Sequence, residues 1–97
     1  MKEDRLLKYK WDKIPKNSDV LITHGPPFTI LDKVDNYRSV GSETLESSVL
    51  SKKPKVHIFG HIHDSYGHQQ SKYTYFYNVS LLNDKYELVN KPTVIDL

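Results

Sequence analysis

Two short apolar runs constrain this chain most, because each one stops at a histidine beside a glycine. Val20-Leu21-Ile22-Thr23 runs into His24-Gly25-Pro26-Pro27, and Val56-His57-Ile58-Phe59 runs into Gly60-His61-Ile62-His63. A strand that is apolar at nearly every position suits a sheet covered on both faces, as parallel sheets are. His-Gly-Pro-Pro cannot continue a strand, since proline has no N–H for the ladder. Between the runs, Ser42 reads as a helix cap with Glu43 in the first turn, where the dipole favours a negative charge. Leu45, Val49 and Leu50 give that helix an apolar stripe, Lys52 and Lys53 sit at its end, and Pro54 closes it. The pattern predicts a parallel pair, residues 19–23 and 55–59, joined through a helix around 42–52.

The flanks are plainer. Leu7, Trp11 and Ile14 fall at i, i+4 and i+7, which predicts a helix over 2–13. Pro15 stops it, because a residue before proline avoids the α region. Asn17-Ser18-Asp19 is a turn cluster, and 28–40 reads as a loop with turn residues Asp32 and Asp35-Asn36. Tyr73 to Tyr77 has a strand composition, and Val94-Ile95 after Pro92 reads as a last strand. The fold class is therefore α/β, a parallel βαβ unit followed by antiparallel C-terminal strands. At 97 residues the chain makes one domain, 1–97, with a thin core.

Composition removes several function classes. Fourteen Lys+Arg against twelve Asp+Glu is too balanced to argue nucleic-acid binding by charge. Six of the fourteen bases lie in residues 1–16, where they read as a solvated helix face. No apolar run approaches the ~18 residues of a membrane span. With no cysteine there is no disulfide frame, thiolate metal site or thiol nucleophile, and the cytoplasm is the easier compartment for so small a chain.

The histidines carry the chemistry. Ligands of open α/β sheets bind outside the carboxyl ends of strands, which is where His24, His61 and His63 fall. Imidazole is a common ligand for Zn, Mn and Fe, so a metal or phosphate site outweighs three unrelated core histidines. Gly25 and Gly60 let the backbone approach a ligand without a Cβ in the way. His57, in mid-strand, reads as a satisfied core residue, and His68 as part of a polar loop.

Asp19 through Pro27, with His57 through His63, resembles the last two signature blocks of the calcineurin-like metallophosphoesterases. Tyr77-Asn78-Val79-Ser80 and the stretch Asn90 to Leu97 resemble the end of that domain, and Trp11 to Pro15 the helix before the first block. The resemblance is to the subfamily named for containing a metallophosphoesterase domain. It implies half of a two-sheet sandwich and a centre of two divalent ions (Mn, Fe or Zn), with His24 and His61 on one and His63 on the other. It also implies a phosphate-ester substrate, monoester or diester, hydrolysed by a hydroxide bridging the metals, with Gly25 and Gly60 lining its place.

The family's earlier blocks, Asp-x-His, Gly-Asp and Gly-Asn-His, are absent from the chain. They carry the bridging carboxylate, an asparagine ligand and the histidine that assists the leaving group. The expectation is a C-terminal half-domain whose phosphoesterase site is incomplete alone and catalytically dead. It would self-associate or dock onto a partner holding the N-terminal blocks. The alternative is a non-catalytic remnant or protein-binding module that keeps the half-fold.

Overall fold

The computed structural model describes residues 2–35, 37–83 and 85–96. Asn36, expected in a turn with Asp35, lies outside them, as does Leu97 of the closing stretch. The first helix, α1, spans Lys2–Trp11. Ile14 lies just beyond it, yet its side chain joins the core. Strand β1, Val20–Ile22, follows. The expected loop 28–40 holds a small antiparallel hairpin, β2 (Lys33–Val34) and β3 (Arg38–Ser39). Asp32 organises it: its fully buried Oδ2 accepts from the backbone N–H of Thr29 and of Gly41, each at 2.8 Å. Gly41 is glycine for a reason of space, since a Cβ there would lie 2.6 Å from the Pro27 carbonyl carbon.

Helix α2 spans Glu43–Lys52 and begins as its sequence dictates, with Ser42 Oγ accepting from Leu45 N–H at 3.0 Å. Asp4 from α1 adds a second cap, accepting from Thr44 N–H at 3.0 Å, and Trp11 Nε1 donates to Thr44 Oγ1 at 3.1 Å. Lys53 ends the helix in the left-handed conformation, φ 52°, and returns its N–H to Val49. Leu45 and Val49 are buried as expected, but Leu50 is exposed: it falls outside the stripe of residues four apart that faces the sheet.

β4, Val56–Phe59, pairs with β1 in parallel, Val20 opposite Val56 and Ile22 opposite Ile58. The parallel βαβ expectation therefore holds. After a 3₁₀ turn at His63–Ser65 come β5, Gly67–Gln70, and β6, Tyr75–Asn78, an antiparallel pair. β6 inserts beside β4 in parallel, so the sheet order is β1-β4-β6-β5. The antiparallel tail exists, but with other partners than composition suggested. β5 is polar and mostly exposed at an edge, so it lacks the apolar signal of a strand, and it takes His68 out of the expected loop. Val94 and Ile95 form no strand; Val94 is 87% exposed, and β-propensity alone does not hold a strand without a partner.

The core is a single cluster, Ile14, Ile30, Leu45, Val49, Phe59 and Phe76, flanked by Trp11, Leu21 and Leu31. Each such side chain stabilises by roughly 1.5–3 kcal/mol when fully buried. These residues set α2 against one face of the sheet. Strand alternation turns Val20 and Ile22, Val56 and Ile58, Tyr75 and Tyr77 to the other face. There Ile22 is 72% and Tyr75 49% exposed. The extents, 35 × 35 × 19 Å, are those of a slab. One four-stranded sheet plus one helix layer, at about 10 Å each, accounts for that thickness, and among the described residues the other sheet is the two-stranded β2-β3 hairpin.

Candidate metal and phosphate site

Because β1 and β4 are parallel, their carboxyl ends arrive at one edge of the sheet. Gly60 N–H donates to the His24 carbonyl at 3.0 Å, and Thr23 N–H to the Ile58 carbonyl at 3.0 Å, so pairing continues to the histidines. The His24 and His61 rings then face each other, centroids 4.5 Å apart and planes tilted by 41°. Burial, and then the neighbouring His24 and His63, push the His61 imidazole below its ordinary value of 6.5. A methyl added at Gly25 would stand 3.8 Å from His61 Cδ2, and one at Gly60 3.5 Å from Ser80 Oγ. Both are ordinary contacts, so nothing among the described residues demands glycine there.

His63 opens the 3₁₀ turn. Its Nδ1 is 2.8 Å from the Asn83 carbonyl, an acceptor only, so Nδ1 carries the proton and Nε2 is left as the free donor of electrons. Its ring meets Tyr86 edge-on at 5.7 Å. His61 and His63, with Val34, Ile62, Asp64 and Tyr86, line an open hollow of about 360 Å³. His24 is exposed and outside that lining. A hollow of similar size, lined by Asp4, Leu7, Phe28 and Val40, lies between α1 and the 28–43 segment and contains no histidine. Among the described residues, no group of three or more His, Asp or Glu side chains is arranged to hold an ion.

Two buried polar devices under the histidine turns escaped the sequence reading. Thr23 Oγ1 donates to the Gly25 carbonyl at 2.7 Å and therefore accepts from His57 Nε2–H at 2.9 Å. His57 is fully buried between Phe59 and Phe76, and burial pushes its imidazole down to about 4. The expectation of a satisfied core histidine is half right, because Nδ1 has no partner among the described residues. The second device is Asn78, whose Nδ2 donates to the carbonyls of Leu31 and Ile62 at 3.1 and 2.9 Å. A polar residue ending an apolar strand was the available signal for both Thr23 and Asn78.

Fold and site together define an α/β half-layer with histidine turns at the carboxyl ends of two parallel strands. No protein-family model matches the chain. Over 89 residues it is 39% identical to a UPF0046 protein of Caenorhabditis elegans, covering 91% of this chain and 22% of that protein. Over 90 residues it is 43% identical to metallophosphoesterase domain-containing protein 1 of Homo sapiens, covering 91% of this chain and 28% of that protein. The Mus musculus protein of the same name matches equally. Over about 90% of its length the chain is thus similar to proteins of a metallophosphoesterase-domain family, and this similarity supports a place in the C-terminal part of such a domain. The chain spans about a quarter of the length of these relatives.

Proposed function

We propose that the chain supplies the imidazole share of a divalent-metal centre for phosphate-ester hydrolysis, His24 and His61 serving one ion and His63 the other. The observation that carries this reading is the His24–His61 ring contact at 4.5 Å, at the ends of two parallel strands. The donor set fits such a centre in part. His63 has the form of a metal ligand, one nitrogen tied to a carbonyl and the other open. What the set lacks is negative charge: three neutral imidazoles do not offset two divalent cations, so this chain alone binds metal weakly. When bound, two such ions act as Lewis acids on the phosphoryl oxygens and lower the pKa of water. Mn, Fe and Zn all suit imidazole ligands.

The chain's own residues position and shape. The β1 and β4 ladder fixes His24 against His61, the Asn83 carbonyl sets the His63 tautomer, and the hollow beside them takes a phosphate ester over Ile62 and Tyr86. Gly25 and Gly60, expected to line the substrate's place, lie outside the lining of that hollow. The carboxylates come from a chain segment carrying the N-terminal part of the domain, which docks on the open sheet face around Ile22 and Tyr75. No helix among the described residues is long and apolar enough to cross a membrane; the cytoplasm remains our reading of the cysteine-free sequence.

Phosphodiester hydrolysis with Mn²⁺ tests this, comparing the 97-residue chain alone and with the N-terminal part of the human relative. Turnover should need both segments and disappear in His61→Ala. No turnover from the pair, despite a stable complex, would favour a protein-binding module without catalysis. That second reading draws on the lack of any three-ligand group among the described residues. Turnover by the lone chain that is lost in His63→Ala would refute the half-site account.

A further inference from the structure

We infer that Asn78 is the positioning residue of the His61 turn, holding a strained backbone that turns the His61 ring onto His24. His61 has φ 69°, and Ile62 N–H donates to the Gly60 carbonyl two residues back at 2.8 Å. A three-residue turn with positive φ at its centre is the rare, strained hand of the γ-turn. A histidine gains nothing locally from that geometry, so the surroundings must impose it.

Asn78 does so. It is fully buried, and the carbonyl it grips through Nδ2, at Ile62, lies between His61 and His63. Its second Nδ2 proton goes to Leu31, which is itself at φ 49° and leads into the hairpin bearing Val34. Its Oδ1 accepts from Ser80 N–H at 3.1 Å and from Ser80 Oγ at 2.7 Å. With two donors and two acceptor sites all used, the amide cannot turn over without setting like against like. Asn78 thus ties the Ile62 side of the hollow to the segment that carries its Val34 wall. Asn78 clamps the single residue that separates two candidate ligands. The functional meaning of the clamp rests on reading His24, His61 and His63 as metal ligands, but the geometry does not.

The test uses Asn78→Asp, which keeps the shape and loses both donors, and Ser80→Ala, which removes one of the two hydrogen bonds that lock the amide. Nuclear Overhauser contacts in the metal-free protein report the His24–His61 rings, with the His57–Phe76 ring pair as a core reference. Calorimetry with Zn²⁺ alone reports affinity. Asn78→Asp should lose the His24–His61 contact, keep the His57–Phe76 contact, and weaken Zn²⁺ binding about 10–100-fold. Ser80→Ala should weaken it about 2–10-fold. An unchanged His24–His61 contact in Asn78→Asp would overturn the inference. So would loss of the core contact in both variants, since Asn78 would then support the fold and not the turn. Should the wild-type chain take up no Zn²⁺, the metal reading fails, and the ring contacts still decide the role of Asn78.

Discussion

Acid should weaken this protein chiefly through the buried imidazole of His57. His57 is buried neutral, with its imidazole pushed from 6.5 down to about 4. Below pH 6.5 the unfolded chain takes a proton at His57, and the folded chain does not until about pH 4. The stabilisation is complete above pH 6.5 and drains away as pH falls towards 4. At about 1.36 kcal/mol per pKa unit the limit is about 3.4 kcal/mol, of which about 2.4 is lost between pH 7 and 4.5. Near pH 5.2 the slope is about 1.2 kcal/mol per pH unit. A domain this size holds roughly 5–15 kcal/mol in all, so the loss is a sizeable fraction, worth about 10–20 °C in Tm.

Urea unfolding followed by the fluorescence of Trp11, the one tryptophan, gives the measurement, at half-unit steps from pH 7.5 to 4. His61, also held below its ordinary value, contributes in the same sense. The difference between wild type and His57→Leu therefore isolates the His57 share. Asp4 does not intrude. Burial acts to raise its pKa, but hydrogen bonds from Ser42 and Thr44 outweigh burial and hold it below 3.8, so its contribution is lost only under that pH. A difference curve that is flat between pH 6.5 and 4.5 refutes the argument.

Three further outcomes follow from the packing. Gly41→Ala forces a methyl to within 2.8 Å of Phe28 N as well as onto the Pro27 carbonyl, and should cost about 1–3 kcal/mol in urea unfolding; an unchanged midpoint would show that the 26–42 crossing can open. Leu45→Ala, at a residue 1% exposed in the core cluster, should cost about 2–5 kcal/mol by the same assay. Ile22→Glu on the open sheet face should leave the stability of the lone chain within about 0.5 kcal/mol, yet reduce self-association and capture of the N-terminal segment in sedimentation experiments.

What could be read from the sequence follows from which signals are local. The βαβ unit was legible because its determinants are local: apolar strands, a Ser42 cap and a proline stop. The histidine turns were legible because glycine and proline mark where a strand must end. β5 was not, since Gly67-His68-Gln69-Gln70 is a strand only by virtue of the β6 edge it pairs with. The hairpin at 33–39 depends on the buried carboxylate of Asp32, which reads as a turn residue until its two N–H partners are seen. The supports of the site were hidden for a similar reason. His57 meets Thr23 across 34 residues and Asn78 meets Leu31 across 47, and no local pattern announces either pairing.

The open face and the missing charge point in one direction. Val56 N–H donates to the Asp19 carbonyl and Thr23 N–H to the Ile58 carbonyl, so alternation turns the N–H and C=O of Val20 and Ile22 away from β4. β1 is an edge of the sheet, and that edge offers free hydrogen-bonding groups to another strand. A strand added there in parallel would extend the sheet and bring its own carboxyl end beside His24. Acidic residues at that end would reach the His24–His61 pair and supply the negative charge that three imidazoles lack. The same segment would bury Ile22, whose exposure otherwise has no use in the chain. One docking event would then complete both the core and the site, which is why stability and metal affinity should rise together when the N-terminal part of a relative is added. If stability rises on docking and metal affinity does not, the added segment covers the sheet without completing the histidine turns.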